Sequence, residues 1–201
     1  MNLRSTRLCG LLAAALFSLT TSLGFSAEPA GTVYNPKSGL LAGWSAIVSA
    51  KQEGGVSLLI TPTALAKPYA GLQIVAGSGA GIPLTDALRA GGEVHLFLRN
   101  GNDAVGKPAA DQMLQAMLAF QPEGGKVLNG QYEQIALDPT PAGGKASAGW
   151  QLVKLSIAKN LQGRVDAATP LKLCGVYVQY IDQPQAAYFV GECTVVAPAA
   201  K

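Results

Sequence analysis

The chain has 201 residues, of which 13% are charged and 49% hydrophobic, and its 15 basic and 12 acidic side chains leave a net charge of +3. Two of the basic residues, Arg4 and Arg7, lie at the extreme N-terminus, so the rest of the chain is close to neutral. Without a concentrated positive charge, binding to nucleic acid or to an anionic membrane surface is not expected.

The N-terminus has the layout of a secretory signal peptide. Arg4 and Arg7 precede the apolar run Leu11–Leu19, and small and polar residues follow through Ala27. This charged, apolar and cleavable pattern is typical of export, and the apolar run is too short to span a bilayer comfortably. We therefore expect residues 1–27 to be a signal peptide and the mature protein to be periplasmic or secreted, with no membrane span after processing.

The remaining chain is long enough for one domain with a sizeable core. We predict a linker over residues 28–39, a β-sandwich domain over 40–196 and a flexible tail over 197–201. Apolar segments of strand length, separated by turn residues, recur through this domain. The predicted strands lie near Gly43–Ala50, Val56–Thr61, Gly71–Ala76, Glu93–Arg99, Met113–Phe120, Tyr132–Leu137, Trp150–Ile157, Leu173–Ile181 and Tyr188–Val196. Residues Leu84–Ala90 predict one or two helical turns, capped by Thr85 or Asp86.

Alternating side chains predict which face of each strand is buried. In the fourth predicted strand, Val94, Leu96 and Leu98 share one side, and His95, Phe97 and Arg99 share the other. A set of strands with one apolar and one mixed face indicates two antiparallel sheets packed together. The predicted fold class is therefore all-β, an antiparallel two-sheet sandwich with jelly-roll topology.

Two cysteines follow the predicted signal peptide, Cys174 and Cys193. In an exported chain such a pair predicts a disulfide bond, with two buried free thiols as the alternative. The last two predicted strands flank the short segment Asp182–Ala187 and form a predicted hairpin. This hairpin would bring the two cysteines together.

Several segments resemble the galactose-binding-domain-like carbohydrate-binding jelly-roll modules. The resemblance lies in residues 69–75, 82–88 and 92–99, in the strand Gly149–Ile157 and in the closing segment Ala187–Val196. It implies a carbohydrate-binding function. In such modules the closing strand often carries an aspartate that serves a structural calcium, whereas Gly191 and Glu192 stand there in this chain. We therefore expect no cofactor, with a structural calcium as the alternative.

The mixed side of the fourth predicted strand is the predicted binding face. Aromatic rings stack on the C–H groups of sugars, and arginine, glutamine and histidine supply directed hydrogen bonds. The predicted ligand-binding residues are His95, Phe97, Arg99, Gln115, Tyr177 and Gln179. The alternatives are that this face forms a second core layer or is covered by the N-terminal segment. Trp44 and Trp150 are predicted to be buried.

Catalytic patterns are weak in this sequence. One histidine and the lack of a Gly-x-Ser-x-Gly motif give a serine hydrolase or a zinc hydrolase little support. A glycosidase needs only two carboxylates, so Glu93, Glu133 and Asp138 leave that possibility open. The sequence favours an exported, non-catalytic module for a carbohydrate or another small polar ligand. The alternative is a structural or assembly protein of the cell envelope that binds another protein through a sheet face or edge.

Overall fold

The computed structural model describes residues 29–34, 41–42, 48–53, 57–62, 66, 68–76, 79–103, 110–139, 149–166, 168–182 and 186–198, with side chains from Ser57 onward. The predicted signal peptide and Trp44 lie outside these residues. Within them, no helix is long and apolar enough to cross a membrane.

The described residues form mainly strands. In chain order these are β1 (Pro29–Tyr34), β2 (Leu41–Ala42), β3 (Val48–Glu53), β4 (Ser57–Pro62), β5 (Gly71–Val75), β6 (Ile82–Pro83), β7 (Glu93–Asp103), β8 (Gln112–Pro122), β9 (Leu128–Asn129), β10 (Glu133–Leu137), β11 (Gln151–Ser156), β12 (Leu171–Tyr180) and β13 (Ala186–Val196). Helix α1 (Asp86–Gly91) precedes β7, and helix α2 (Ile157–Leu161) follows β11.

The strands pair into two antiparallel sheets. The first sheet has the order β11-β7-β13-β4-β3, with β1 also paired to β13. The second has the order β10-β8-β12-β5-β2, with β6 paired to β12 and β9 to β8. Consecutive long strands from β7 to β13 cross repeatedly from one sheet to the other, as in a jelly roll. The predicted all-β two-sheet sandwich is confirmed.

The core lies between the inner faces of the two sheets. Leu96 and Leu98 of β7 and Leu114 and Leu118 of β8 are fully buried, as the alternation predicted. Each such side chain contributes about 1.5–3 kcal/mol when it leaves water. The alternation along each strand therefore determines which side chains form the core and which form the two outer faces.

Both helices begin at a hydroxyl side chain that caps the first turn. Thr85 Oγ1 accepts a hydrogen bond from the Leu88 backbone N–H at 3.3 Å, which confirms the predicted cap of α1. Ser156 Oγ accepts one from the Lys159 backbone N–H at 3.3 Å and caps α2, which the sequence analysis missed. With five residues, α2 is too short to show a helical period.

Both ends of the described chain are more ordered than the sequence suggested. Residues Pro29–Tyr34, within the predicted linker, form β1 and pair with the end of β13. Ala197, within the predicted flexible tail, is partly buried against the core. In both places the chain satisfies its backbone polar groups or buries apolar area by contact with residues distant in sequence, which local composition does not reveal.

The predicted disulfide is wrong, because Cys174 and Cys193 are free thiols in different sheets. Strands β12 and β13 do not pair with each other, so the predicted hairpin is absent from the described strand pairs. Cys193 is fully buried in the core on β13. Cys174 lies on the outer side of β12, where its Sγ is 3.8 Å from Gln121 Oε1.

Alkylation without a reductant should therefore modify the two thiols separately. Burial raises the pKa of both thiols, and Cys193 is fully enclosed. We expect iodoacetamide to label Cys174 slowly in the native protein, at a rate that still rises above pH 9, and Cys193 only after unfolding. Peptide mapping by mass spectrometry measures both. A peptide pair linked through Cys174 and Cys193 would contradict this account.

Candidate functional site

The six predicted ligand-binding residues lie on two opposite surfaces of the sandwich. His95, Phe97 and Arg99 are on β7, on the outer face of the first sheet, whereas Gln115, Tyr177 and Gln179 are on β8 and β12, on the outer face of the second. The prediction that they share one binding face is therefore wrong. Alternation shows which residues share one side of a strand, but sheet membership depends on pairing between distant segments.

On the first sheet, Arg99 is held between two aromatic rings. Its Cζ lies 5.3 Å from the ring centre of Trp150 and 4.1 Å from that of Phe189. Trp150 is half-buried and its ring covers Gly191, so the prediction of a buried tryptophan in the core is wrong. The two rings make cation–π contacts with the guanidinium group of Arg99. The stack also connects β7 to the strands on either side of it, β11 and β13.

The other predicted residues of the first sheet also contact neighbours. His95 Nε2 lies 2.8 Å from Glu93 Oε2, and Lys154 Nζ is 4.0 Å from the same oxygen. Phe97 is 39% exposed and sits beside the exposed Leu152 in register. The outer face of the first sheet therefore carries charged side chains that pair with one another, together with exposed apolar side chains.

The carboxylates considered above for a possible glycosidase site lie in different parts of the fold. Glu93 is on the first sheet, whereas Glu133 is on the second, where Lys159 Nζ lies 2.9 Å from its Oε2. Asp138 follows β10, and its backbone N–H donates to Gln151 Oε1 at 2.9 Å. Among the described residues, no group of three or more His, Cys, Asp or Glu side chains could hold a metal ion.

On the second sheet, glutamines form a row across three neighbouring strands. Gln134 of β10 pairs with Gln115 of β8, which pairs with Gln179 of β12, which in turn pairs with Gly71 of β5. Neighbouring strands are about 4.8 Å apart, so the row presents an amide at each step across the sheet. We call this surface the glutamine face and define it by Gln73, Gln115, Gln134, Tyr177 and Gln179.

The next row of the glutamine face contains Tyr177. Met117, Tyr177 and Gln73 lie in register on β8, β12 and β5. Burial raises the pKa of the Tyr177 phenol, and the proximity of Cys174 and Tyr132 raises it further. Tyr177 is therefore a neutral hydroxyl near pH 7, able to donate a hydrogen bond while its ring offers an apolar surface. Tyr132, whose side chain is exposed, is near enough to act electrostatically on this phenol.

Gln179 has the most unusual environment of these residues. Only 6% of the residue is exposed, but its amide is not one of the fully buried side-chain groups that lack a partner among the described residues, so the amide end is in contact with solvent. The opposing Gly71 has no side chain, and a Cβ there would collide with the Cβ of Gln179. An amide that reaches the surface within a row of glutamines can both donate to and accept from a ligand.

The described part of this surface carries little charge. Gln121 and Lys172 lie at one end of it, where they line a recess of about 390 Å³ together with Pro83, Pro122, Glu123, Gly124, Pro170 and Leu171. Among the outward-facing residues of β5, β8, β10 and β12, Lys172 is the one formal charge. The glutamine face is therefore suited to a neutral polar ligand.

The predicted binding residues did not include Gln73, Gln134 and Tyr132. Gln73 and Gln134 alternate with the buried residues Leu72 and Ile135, so their outward direction could have been predicted from the pattern. Their assembly with Gln115 could not, because it depends on the order of β10, β8, β12 and β5 in the sheet.

No protein-family model and no curated protein matches this chain. Among solved structures, it is similar to a Family 30 carbohydrate-binding module at 8% identity and a TM-score of 0.49, with 84% of this chain and 98% of that chain covered. A Family 11 carbohydrate-binding module from Clostridium thermocellum, in complex with a β-1,3-1,4-mixed-linked tetrasaccharide, matches at 11% identity and a TM-score of 0.49, covering 77% and 85%. A mutant of the module CBM29-2 matches at 13% identity and a TM-score of 0.45, covering 83% of each chain. These solved structures are of the class that the sequence resembles, and the likeness concerns the fold alone.

Proposed function

We propose that this chain is an exported, non-catalytic carbohydrate-binding module and that its glutamine face binds a neutral glycan. The observation that carries the proposal is the register of Gln134, Gln115 and Gln179, which places three amides in one row across the second sheet. An amide both donates and accepts, which is what the hydroxyl groups of a sugar require. Each such bond contributes about 0.5–1.5 kcal/mol.

The neighbouring residues offer the apolar contacts that sugar recognition needs in addition to hydrogen bonds. The rings of Tyr177 and Tyr132 offer apolar surfaces on which the C–H groups of a sugar ring can stack. The row of Gln134, Gln115 and Gln179 lets a linear glycan that lies across the strands meet one amide at each strand. Neutrality of the surface favours an uncharged glycan over an acidic one, because an acidic glycan would find no row of cations.

Export belongs to the proposal as well. The signal-peptide pattern of residues 1–27 supports secretion into the periplasm or the medium, where polysaccharides are available as ligands.

The test is a titration of the mature protein against a panel of neutral and acidic soluble polysaccharides by isothermal calorimetry. We expect a neutral glycan to bind, and Gln179→Ala to weaken that binding about 5- to 50-fold because an amide contact is lost. Gln162→Ala, at an exposed position beyond α2, is the matched control and should bind like the wild type. Equal affinity of Gln179→Ala and the wild type would refute the assignment of the site.

A further inference from the structure

The outer face of the first sheet carries a cluster of large side chains that the proposed function does not use. Phe97 of β7 and its register partner Leu152 of β11 are both among the exposed large apolar residues. Trp150 and Phe189, each partly exposed, lie on the same side with ring centres 6.5 Å apart, and Arg99 lies against both rings. We call this surface the aromatic face and define it by Phe97, Arg99, Trp150, Leu152 and Phe189.

The two rings beside Arg99 are already in contact with the protein. Arg99 Cζ lies 4.1 Å from the ring centre of Phe189, and the ring of Trp150 covers Gly191. A ring that binds sugar needs an open surface on which C–H groups can stack. A surface cluster of tryptophan, phenylalanine and arginine is instead the composition typical of the centre of a protein–protein interface.

Opposite charges flank the aromatic face on the two strands beside β7. Lys154 lies on β11, and 55% of its side chain is exposed. Glu192 lies on β13, where it and Gly191 together stand opposite Phe97 in a β-bulge. Glu192 is exposed, and its side chain projects from the outer face because the next residue, Cys193, is buried in the core.

The strand order makes the aromatic face self-complementary. Strand β7 lies between β11 and β13, so a twofold axis that runs along β7 places β11 of one copy over β13 of the other. Trp150 then faces the other copy's Phe189, and Lys154 lies near the other copy's Glu192. These two charged residues are offset by two positions along the strands, about 7 Å, which an extended lysine side chain spans. The strands of the two copies stay nearly aligned, as in ordinary face-to-face packing of sheets.

The other charges near this axis have partners within each chain. Glu93 Oε2 lies 2.8 Å from His95 Nε2, and the guanidinium of Arg99 is held against two rings. Lys154 Nζ is 4.0 Å from Glu93 Oε2, and an ammonium group has three donors, so it can serve a second carboxylate as well.

We infer that two copies of this chain form a symmetric dimer through the aromatic face, with Lys154 of each copy paired to Glu192 of the other. The glutamine face is on the opposite side of the sandwich, so both glutamine faces of the dimer stay uncovered and point away from each other. The inference therefore does not depend on what the glutamine face binds.

Sedimentation equilibrium of the mature protein between about 1 µM and 1 mM measures the association, since modest interfaces associate in this range. We expect the wild type to dimerise. Lys154→Glu and Glu192→Lys should each weaken the dimer about tenfold or more, because one substitution turns two attractive contacts of a symmetric dimer into two repulsive ones. Lys126→Glu, at an exposed position between β8 and β9, makes the same change in net charge and should dimerise like the wild type.

An equimolar mixture of Lys154→Glu and Glu192→Lys should recover the association, because every contact of the mixed dimer again joins opposite charges. A wild type that stays monomeric at about 1 mM overturns the inference. Single variants that dimerise like the wild type place the interface elsewhere and also overturn it, as does a mixture that associates no better than the separate variants.

Discussion

Replacement of Tyr177 by alanine should lower the affinity for a glycan about 10- to 100-fold. Tyr177 lies in the middle strand of the glutamine face, between Met117 and Gln73. A central, half-buried aromatic residue is typically an anchor of a binding surface and is worth about 1–3 kcal/mol when truncated. Calorimetry with the best neutral glycan gives the dissociation constants of the wild type and the variant.

Two controls separate this effect from a general loss of structure. Tyr177→Phe keeps the ring and should retain most of the affinity. Phe97→Ala removes an exposed ring from the outer face of the opposite sheet, so it should leave the affinity unchanged and lower stability by no more than about 1–2 kcal/mol. If Phe97→Ala abolished binding and Tyr177→Ala did not, the ligand would bind the first sheet.

Replacement of Asn160 by alanine should lower the free energy of unfolding by about 3 kcal/mol. Asn160 is fully buried in α2, where its Oδ1 accepts from the Leu118 N–H at 3.1 Å and its Nδ2 donates to Glu133 Oε1 at 3.0 Å and to the Ser156 carbonyl at 3.1 Å. Alanine leaves the buried N–H of Leu118 without its partner, at a cost of about 1–3 kcal/mol, and loses two further bonds.

Thermal unfolding measures this effect, which corresponds to a drop of roughly 6–12 °C for a domain of this size. Asn160→Asp is the sharper variant, because it keeps the acceptor but brings a carboxylate to the carboxylate of Glu133. Its loss of stability should exceed that of Asn160→Ala, because two like charges in this contact repel each other. The exposed Asn129→Asp is the control. A loss of stability in Asn160→Asp no larger than that in Asn129→Asp would contradict this reading of the contact.

Much of the fold could be predicted because strand patterns are local. The buried sides of β7 and β8 follow from alternation, and the cap at Thr85 follows from one residue type before a short helix. The failures concern long-range pairing. Cys174 and Cys193 stand on strands that are adjacent in sequence but belong to opposite sheets, and the apparent hairpin gave no sign of this crossing.

The candidate site was predicted only in part for the same reason. Gln115, Tyr177 and Gln179 were identified as outward and polar, and they lie together on the second sheet. His95 and Arg99 have the same pattern of exposure along their strand but contact Glu93 and a pair of aromatic rings on the first sheet. Residue type and alternation cannot distinguish these two outcomes, because both faces combine polar and aromatic side chains.

The most direct test of the account is to observe which surface responds when a glycan binds. In two-dimensional NMR spectra of the 15N-labelled mature protein, the side-chain amides of Gln115, Gln134 and Gln179 and the indole N–H of Trp150 report on the two outer faces separately. On titration with the bound neutral glycan, we expect the glutamine amides to shift and the Trp150 indole to stay in place. A shift of the Trp150 indole with unchanged glutamine amides would contradict the glutamine face as the binding site.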